Sequence, residues 1–188
     1  RNPLAEPYLL GVSGGATVGA VSVIVLGIGS SQLLMSVATA LGAFVGALTA
    51  LILVLVLATG RSGALPPTRV ILAGIAIGQI SGAFTSFLVI VTGQRDAARQ
   101  AMMWTLGSFA GIRWDSAILV LGVTSLGLVV FLGFTRQLDA FAFGEQAARS
   151  LGISVTKVRW TLMIGAALVT AALVSIAGAI GFIGLVVP

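Results

Sequence analysis

The sequence predicts an all-α integral membrane protein, a polytopic helical bundle, and three observations carry that expectation. Hydrophobic residues fill 58% of the 188 positions and charged residues 8%, with a mean hydropathy of +1.15. A soluble domain is typically about a quarter charged, so this chain could not cover a water-facing surface. The apolar residues gather into runs long enough, at roughly 1.5 Å per helical residue, to cross a hydrocarbon core of about 30 Å. Glycines recur inside those runs at four-residue spacing: Gly11, Gly15 and Gly19; Gly42 and Gly46; Gly74, Gly78 and Gly82. Small faces of this kind let helix backbones pack closely.

In chain order, residues 1–7 form a polar turn in which Pro3 and Pro7 suit the first turn of a helix. A charge-free span is expected over 8–29, a short turn at 29–32, and a second charge-free span over 33–58. The Pro-Pro stretch 59–69 is a loop with two arginines. A third span covers 70–92, with Gln79 as its most polar member. A polar break at 93–100 leads into a half-length Gly/Trp/Met-rich segment at 101–113. A fourth span covers 115–135, a fifth 161–178, and 179–188 reads as the start of a sixth. The start at Arg1 and the stop at Pro188 are expected to lie inside a longer protein.

Between the fourth and fifth spans lies the longest polar break, 136–160, holding Arg136, Arg149, Lys157 and Arg159 with Asp139 and Glu145. It parses as two short helices. Leu138, Phe141 and Ala142 share a face at i, i+3 and i+4. Gly144 interrupts, and Glu145 opens a second helix, where a carboxylate suits the positive end of the dipole. Ala147, Ala148 and Leu151 give that helix an apolar, low-profile side, and Gly152 ends it. Ser154 is positioned to cap the helix that carries Lys157 and Arg159 to the membrane interface. The segment reads as a docking surface for a soluble partner, the alternative being an amphipathic helix lying on membrane lipid.

Sidedness follows from the distribution of basic residues. Alternating spans place Arg1, Arg61, Arg69, Arg136, Arg149, Lys157 and Arg159 on one side and only Arg95, Arg99 and Arg113 on the other. The first side is expected to be cytoplasmic. The net charge of +5 is therefore loop charge and not a nucleic-acid footprint.

Several chemistries are excluded or made improbable by residue type. The chain has no cysteine and no histidine, which removes thiol chemistry, the commonest metal ligand and the usual general base. Gly11-Val12-Ser13-Gly14-Gly15 fits the pattern of a nucleophile elbow, but that motif needs a strand–turn–helix setting and a histidine partner, so Ser13 reads as a packing serine. Glu6, Asp96, Asp115, Asp139 and Glu145 all fall outside the apolar runs or at their edges, which leaves no intramembrane proton relay. There is no phosphate-binding loop and Lys157 is the sole lysine. Any ATP that drives this protein is bound by another chain.

Five segments, RNPLAEPYLLGVSGGA, ILAGIAIGQISGAFTSFL, MMWTLGSFAG, LDAFAFGEQAARSLGI and IGFIGLVVP, occur in this order. Together they resemble the permease subunits of ATP-driven importers for iron–siderophore complexes, haem and cobalamin, the type II importer kind. The resemblance covers essentially the whole chain. It implies a single transmembrane domain over 1–188, the middle of such a permease, from its third helix to the start of its eighth. It also implies a cytoplasmic ATPase that uses the ATP, a second permease subunit (identical or related), an extracytoplasmic substrate-binding protein, and residence in the bacterial cytoplasmic membrane. The permease itself would hold no cofactor and catalyse no reaction.

Residue by residue, the resemblance matches Gly144, Glu145, Ala147, Ala148, Leu151 and Gly152 to the family's coupling helix, which docks in a cleft of the ATPase. Gln146 departs from the family, which often has a second acidic residue there. The helix over 70–92 matches one that lines the translocation path, making Gln79, Ser81, Thr85 and Ser86 pathway candidates beside a plain interhelical hydrogen-bonding role. Arg95 and Arg99 lie on the side where the family docks its binding protein. Ferric siderophore is the family's commonest cargo, with haem or cobalamin as alternatives. An ATP-independent carrier or channel is the competing class.

Overall fold

The computed structural model describes residues 10–29, 31–59, 65–93, 95–110 and 112–179. Within them the chain is helical throughout, in the order α1 (Val12–Leu26), α2 (Gln32–Ala58), α3 (Pro67–Thr92), α4 (Arg95–Leu106), α5 (Trp114–Gly133), α6 (Thr135–Ala142), α7 (Glu145–Ser150) and α8 (Val155–Ala177). Arg1, Glu6, Arg61 and the expected start of a sixth span at 180–188 lie outside the described residues.

Local chemistry explains most boundaries. Ser31 caps α2, its hydroxyl accepting the Leu34 N–H at 3.3 Å. Pro67 opens α3 at its first position, where a missing N–H costs nothing. The helix therefore starts three residues before the expected span. Ser154 occupies the N-cap position of α8, but its side chain makes no capping bond.

One expectation is corrected. The polar break expected at 93–100 is helical: α4 begins at Arg95, not at 101, and ends at Leu106. Its Arg, Ala and Gln residues are good helix formers, and Ala97 and Ala101, one turn apart, bury its inner face. The helix after Ser154 begins at Val155 and carries Lys157 and Arg159, as expected, and it runs unbroken into the span expected over 161–178, ending at Ala177.

Four helices, α2, α3, α5 and α8, are long and apolar enough to cross a membrane; α1, at 15 residues, is shorter. This short helix is the hub, in contact with α2, α3, α4 and α8. The main core is built largely from alanine: Ala16 and Ala20 of α1 meet Ala43, Ala47 and Ala50 of α2, with Ala167 and Ala171 of α8 completing it. Such a core works only where backbones come close. A methyl group on Gly19 would fall 2.6 Å from the Gly42 carbonyl carbon, so glycine is required at that crossing.

The expected glycine faces are partly redistributed. Gly15 and Gly19 pack on α2, whereas Gly11 meets Gly74 of α3 and Gly14 meets Gly78 and Ser81. Gly82 has no neighbour within 4 Å of an added methyl and takes no part in close packing. At the far edge, α5 buries none of its residues and leans on α8, with Gly127 against Val169 and Phe131 against Gly165.

The helix ends sort into two groups, as alternating spans require. Arg159 at the start of α8 reaches the Leu65 carbonyl ahead of α3, joining two breaks assigned to one side. At the opposite end the Ser108 N–H donates to the Ala177 carbonyl at 2.9 Å, joining the break after α4 to the end of α8.

Candidate functional site

The break between α5 and α8 folds as a hairpin of two short helices. The turn at Phe143–Gly144 separates them, and Gly144 adopts φ 98°, a region that side chains rarely tolerate. After α7, Gly152 at φ 78° reverses the chain so that the Ile153 N–H donates to the Ala148 carbonyl at 3.1 Å. This six-to-one bond is the Schellman closure of a helix end. A second small core holds the hairpin together: Ala140 of α6, Ala148 of α7 and Val155 of α8 are buried, with Phe141 and Ile153 packed against them.

The residues matched to a coupling helix do not form one surface. Ala148 is fully buried and faces the hairpin core, Ala147 is half-buried, and Leu151 is 71% exposed. The low-profile side expected from Ala147, Ala148 and Leu151 is thus divided, since only Ala148 points toward Ala140 of α6 and Val155 of α8. The packed face of α6 centres on Ala140, with Phe141 against it, while Leu138 and Ala142 of the expected face are exposed. The large apolar groups most displayed are Leu151 and Phe143, the latter 83% exposed, with Leu138 less so. Phe143 was missed from sequence because it sits in the turn, outside either helical repeat.

Glu145 is not free for a partner alone. Its carboxylate pairs with the Arg159 guanidinium and lies 3.9 Å from Arg149, one turn along α7. The other arm of Arg159 donates to the Leu65 carbonyl at 2.8 Å.

On α3 the pathway candidates fall on two faces. Gln79 and Ser86, seven residues apart, are exposed, the Ser86 hydroxyl donating to the Gly82 carbonyl at 3.0 Å. Ser81 is buried against α1 at Gly14, and Thr85, one turn on, carries a buried hydroxyl with no hydrogen-bond partner among the described residues. Ser81 and Thr85 belong to the packing side, Gln79 and Ser86 to the open side.

Arg95 and Arg99 stand exposed one turn apart on α4. Arg99 lines an open cleft of about 620 Å³ together with Arg113, Trp104, Thr39 and Ser175; Arg95 does not line it. Among the described residues no three of His, Cys, Asp or Glu gather closely enough to hold a metal ion. Ser13 is buried in α1, in a helix and not at a strand–turn–helix elbow.

The fold is that of a polytopic helical membrane protein with a hairpin of two short helices between α5 and α8, and comparison with known proteins names the family. The FecCD transport family matches residues 1–188; the chain belongs to that family. It is 42% identical over 188 residues to the cobalamin import system permease protein BtuC of Halobacterium salinarum, covering 100% of this chain and 49% of that protein. It is 38% identical to the vitamin B12 import system permease protein BtuC of Salmonella typhi, covering 100% of this chain and 55% of that one. It is 35% identical to the hemin transport system permease protein HmuU of Yersinia pestis, covering 100% and 55%. The chain spans about half the length of these curated relatives. Among solved structures, an inward-facing metal-chelate type ABC transporter superposes with a TM-score of 0.86 at 23% identity, over 99% of this chain and 57% of that chain. That likeness shows a shared fold.

Proposed function

We propose that this chain forms the central part of a permease subunit in an ATP-driven importer of the bacterial cytoplasmic membrane. The observation that carries the reading is the α6–α7 hairpin. It stands at the end of the bundle where basic residues collect, fastened by its own small core and displaying Phe143 and Leu151. Its partner is a cytoplasmic ATPase, whose closure would push the hairpin and rock the bundle about its packed interfaces. A second permease subunit and an extracytoplasmic binding protein, received near Arg95 and Arg99, complete the assembly. The permease binds no cofactor and performs no chemistry of its own.

Two of the named relatives carry cobalamin or vitamin B12 in their names and one carries hemin. Cobalamin is therefore the first cargo to test, ahead of the ferric siderophores expected from the family at large. The test is uptake of labelled cobalamin, haem or a ferric siderophore into vesicles holding the full-length protein, its ATPase and its binding protein. Uptake that requires ATP hydrolysis supports the reading. Equal uptake without ATP would favour an ATP-independent carrier instead.

A further inference from the structure

Arg159 joins three elements with one side chain. One arm of its guanidinium pairs with Glu145, the first residue of α7, and the other donates to the carbonyl of Leu65 at 2.8 Å, 94 residues away. The Arg159 side chain is only 20% exposed, against 66% for Arg149 in its neighbouring pair with Glu145. Withdrawal from solvent protects an ion pair from screening, so of the two arginines on Glu145, Arg159 is the one that holds.

The far end of this link is stiff. Leu65 is 1% exposed and belongs to the main core, so its carbonyl is anchored from behind. Pro66 and Pro67 follow at once, and α3 begins at Pro67. Proline rings fix φ, leaving little slack between the Leu65 carbonyl and the α3 axis. On the near side, Val155 stands one turn before Arg159 and is buried with Ala148 in the hairpin core. A displacement of α7 thus has a short path to α3, the helix that presents Gln79 and Ser86 on its open face.

We propose that Arg159 is a positioning residue that yokes α7 to the start of α3, so that the two move as one body. The proposal rests on the reading of α7 as the element an ATPase pushes. Arginine suits the task because its planar fork presents separate nitrogens to the two acceptors; a lysine gathers its donors at one nitrogen on a flexible stem and would hold Glu145 and Leu65 less rigidly.

Spin labels on cysteines introduced at Gln146 and Thr68, both exposed, report the α7–α3 distance in the full-length protein with its ATPase. The 188 residues contain no native cysteine; any thiol elsewhere in the protein is first replaced. The wild type should give one narrow distance, unchanged by ATP. Arg159→Ala should broaden it and make it ATP-dependent, and Arg159→Lys and Glu145→Gln should do so in part. Cobalamin delivered per ATP should fall about tenfold in Arg159→Ala, within the usual range of coupling between sites. A wild-type distance and yield in both Arg159 variants overturns the yoke. A wild type that captures no ATPase overturns the functional reading and the transmitting role with it. The nucleotide-free distance then still decides whether Arg159 fixes α7 to α3.

Discussion

Gly19 and Gly42 oppose each other where α1 crosses α2, so closely that a methyl group on Gly42 would stand 2.8 Å from the Gly19 carbonyl oxygen. The obstacle is backbone, which cannot swing aside as a side chain could. Gly19→Ala and Gly42→Ala should each destabilise the full-length protein by about 1–3 kcal/mol, the usual cost of overpacking. Gly82→Ala meets nothing within 4 Å and should leave stability unchanged or slightly raised, since alanine favours helix. Thermal unfolding in detergent separates the three.

Ala148 and Leu151 should fail differently. Ala148→Leu forces a larger side chain into the core shared with Ala140 and Val155, at about 1–3 kcal/mol, and should loosen the hairpin and reduce ATPase capture together. Leu151→Ala trims an exposed group and should reduce capture with the unfolding temperature unchanged. Limited proteolysis of the hairpin, run beside co-purification of the ATPase, distinguishes lost shape from lost contact.

Gly152 is needed for its backbone and not for space. No atom lies within 4 Å of an added methyl, but φ is +78°, so Gly152→Ala should cost about 1–2 kcal/mol locally. Gly152→Pro also removes the N–H that donates to the Arg149 carbonyl at 3.0 Å and fixes φ near −65°. Its expected phenotype is normal membrane insertion with ATP hydrolysis that no longer drives uptake, measured as cargo per ATP in vesicles.

Gln79 and Ser81 lie two residues apart on opposite sides of α3. Ser81→Leu should lower the unfolding temperature, because Ser81 packs against Gly14 of α1. Gln79→Leu should keep that temperature and change uptake, as expected of a side chain on the open face. Comparing unfolding with transport rate for the pair tests whether the pathway runs along the Gln79–Ser86 side.

These contrasts mark where a one-dimensional reading succeeds. The long spans were legible because hydropathy and length act locally, and close packing because glycine every fourth residue leaves a small face; which helix meets which was not, since Gly15 and Gly19 go to α2, Gly11 and Gly14 to α3, and Gly82 to neither. The two-helix parse of 136–160 was legible from Gly144 and Gly152, whose conformations demand no distant knowledge. The inward side of Ala148 was not, since alanine suits a docking face and a tight core equally well. Nor was the bond between Arg159 and Leu65, which depends on how the bundle brings together residues 94 apart in the chain. The helix of α4 was obscured by charge: Arg95 and Arg99 lower hydropathy without lowering helix propensity, and Asp96 is favourable in the first turn, at the positive end of the dipole.

The brevity of α1 has a consequence for how this protein meets different membranes. At 15 residues it is about 22 Å long, less than a hydrocarbon core of about 30 Å, and Leu26 is its sole exposed residue. Its surroundings are α2, α3, α4 and α8, so it has almost no lipid to match. A thicker or thinner bilayer would act on the outer helices, α5 above all, and hardly on the axle they surround. Lipid chain length should therefore alter the tilt of the rim while the Gly19–Gly42 crossing keeps its geometry.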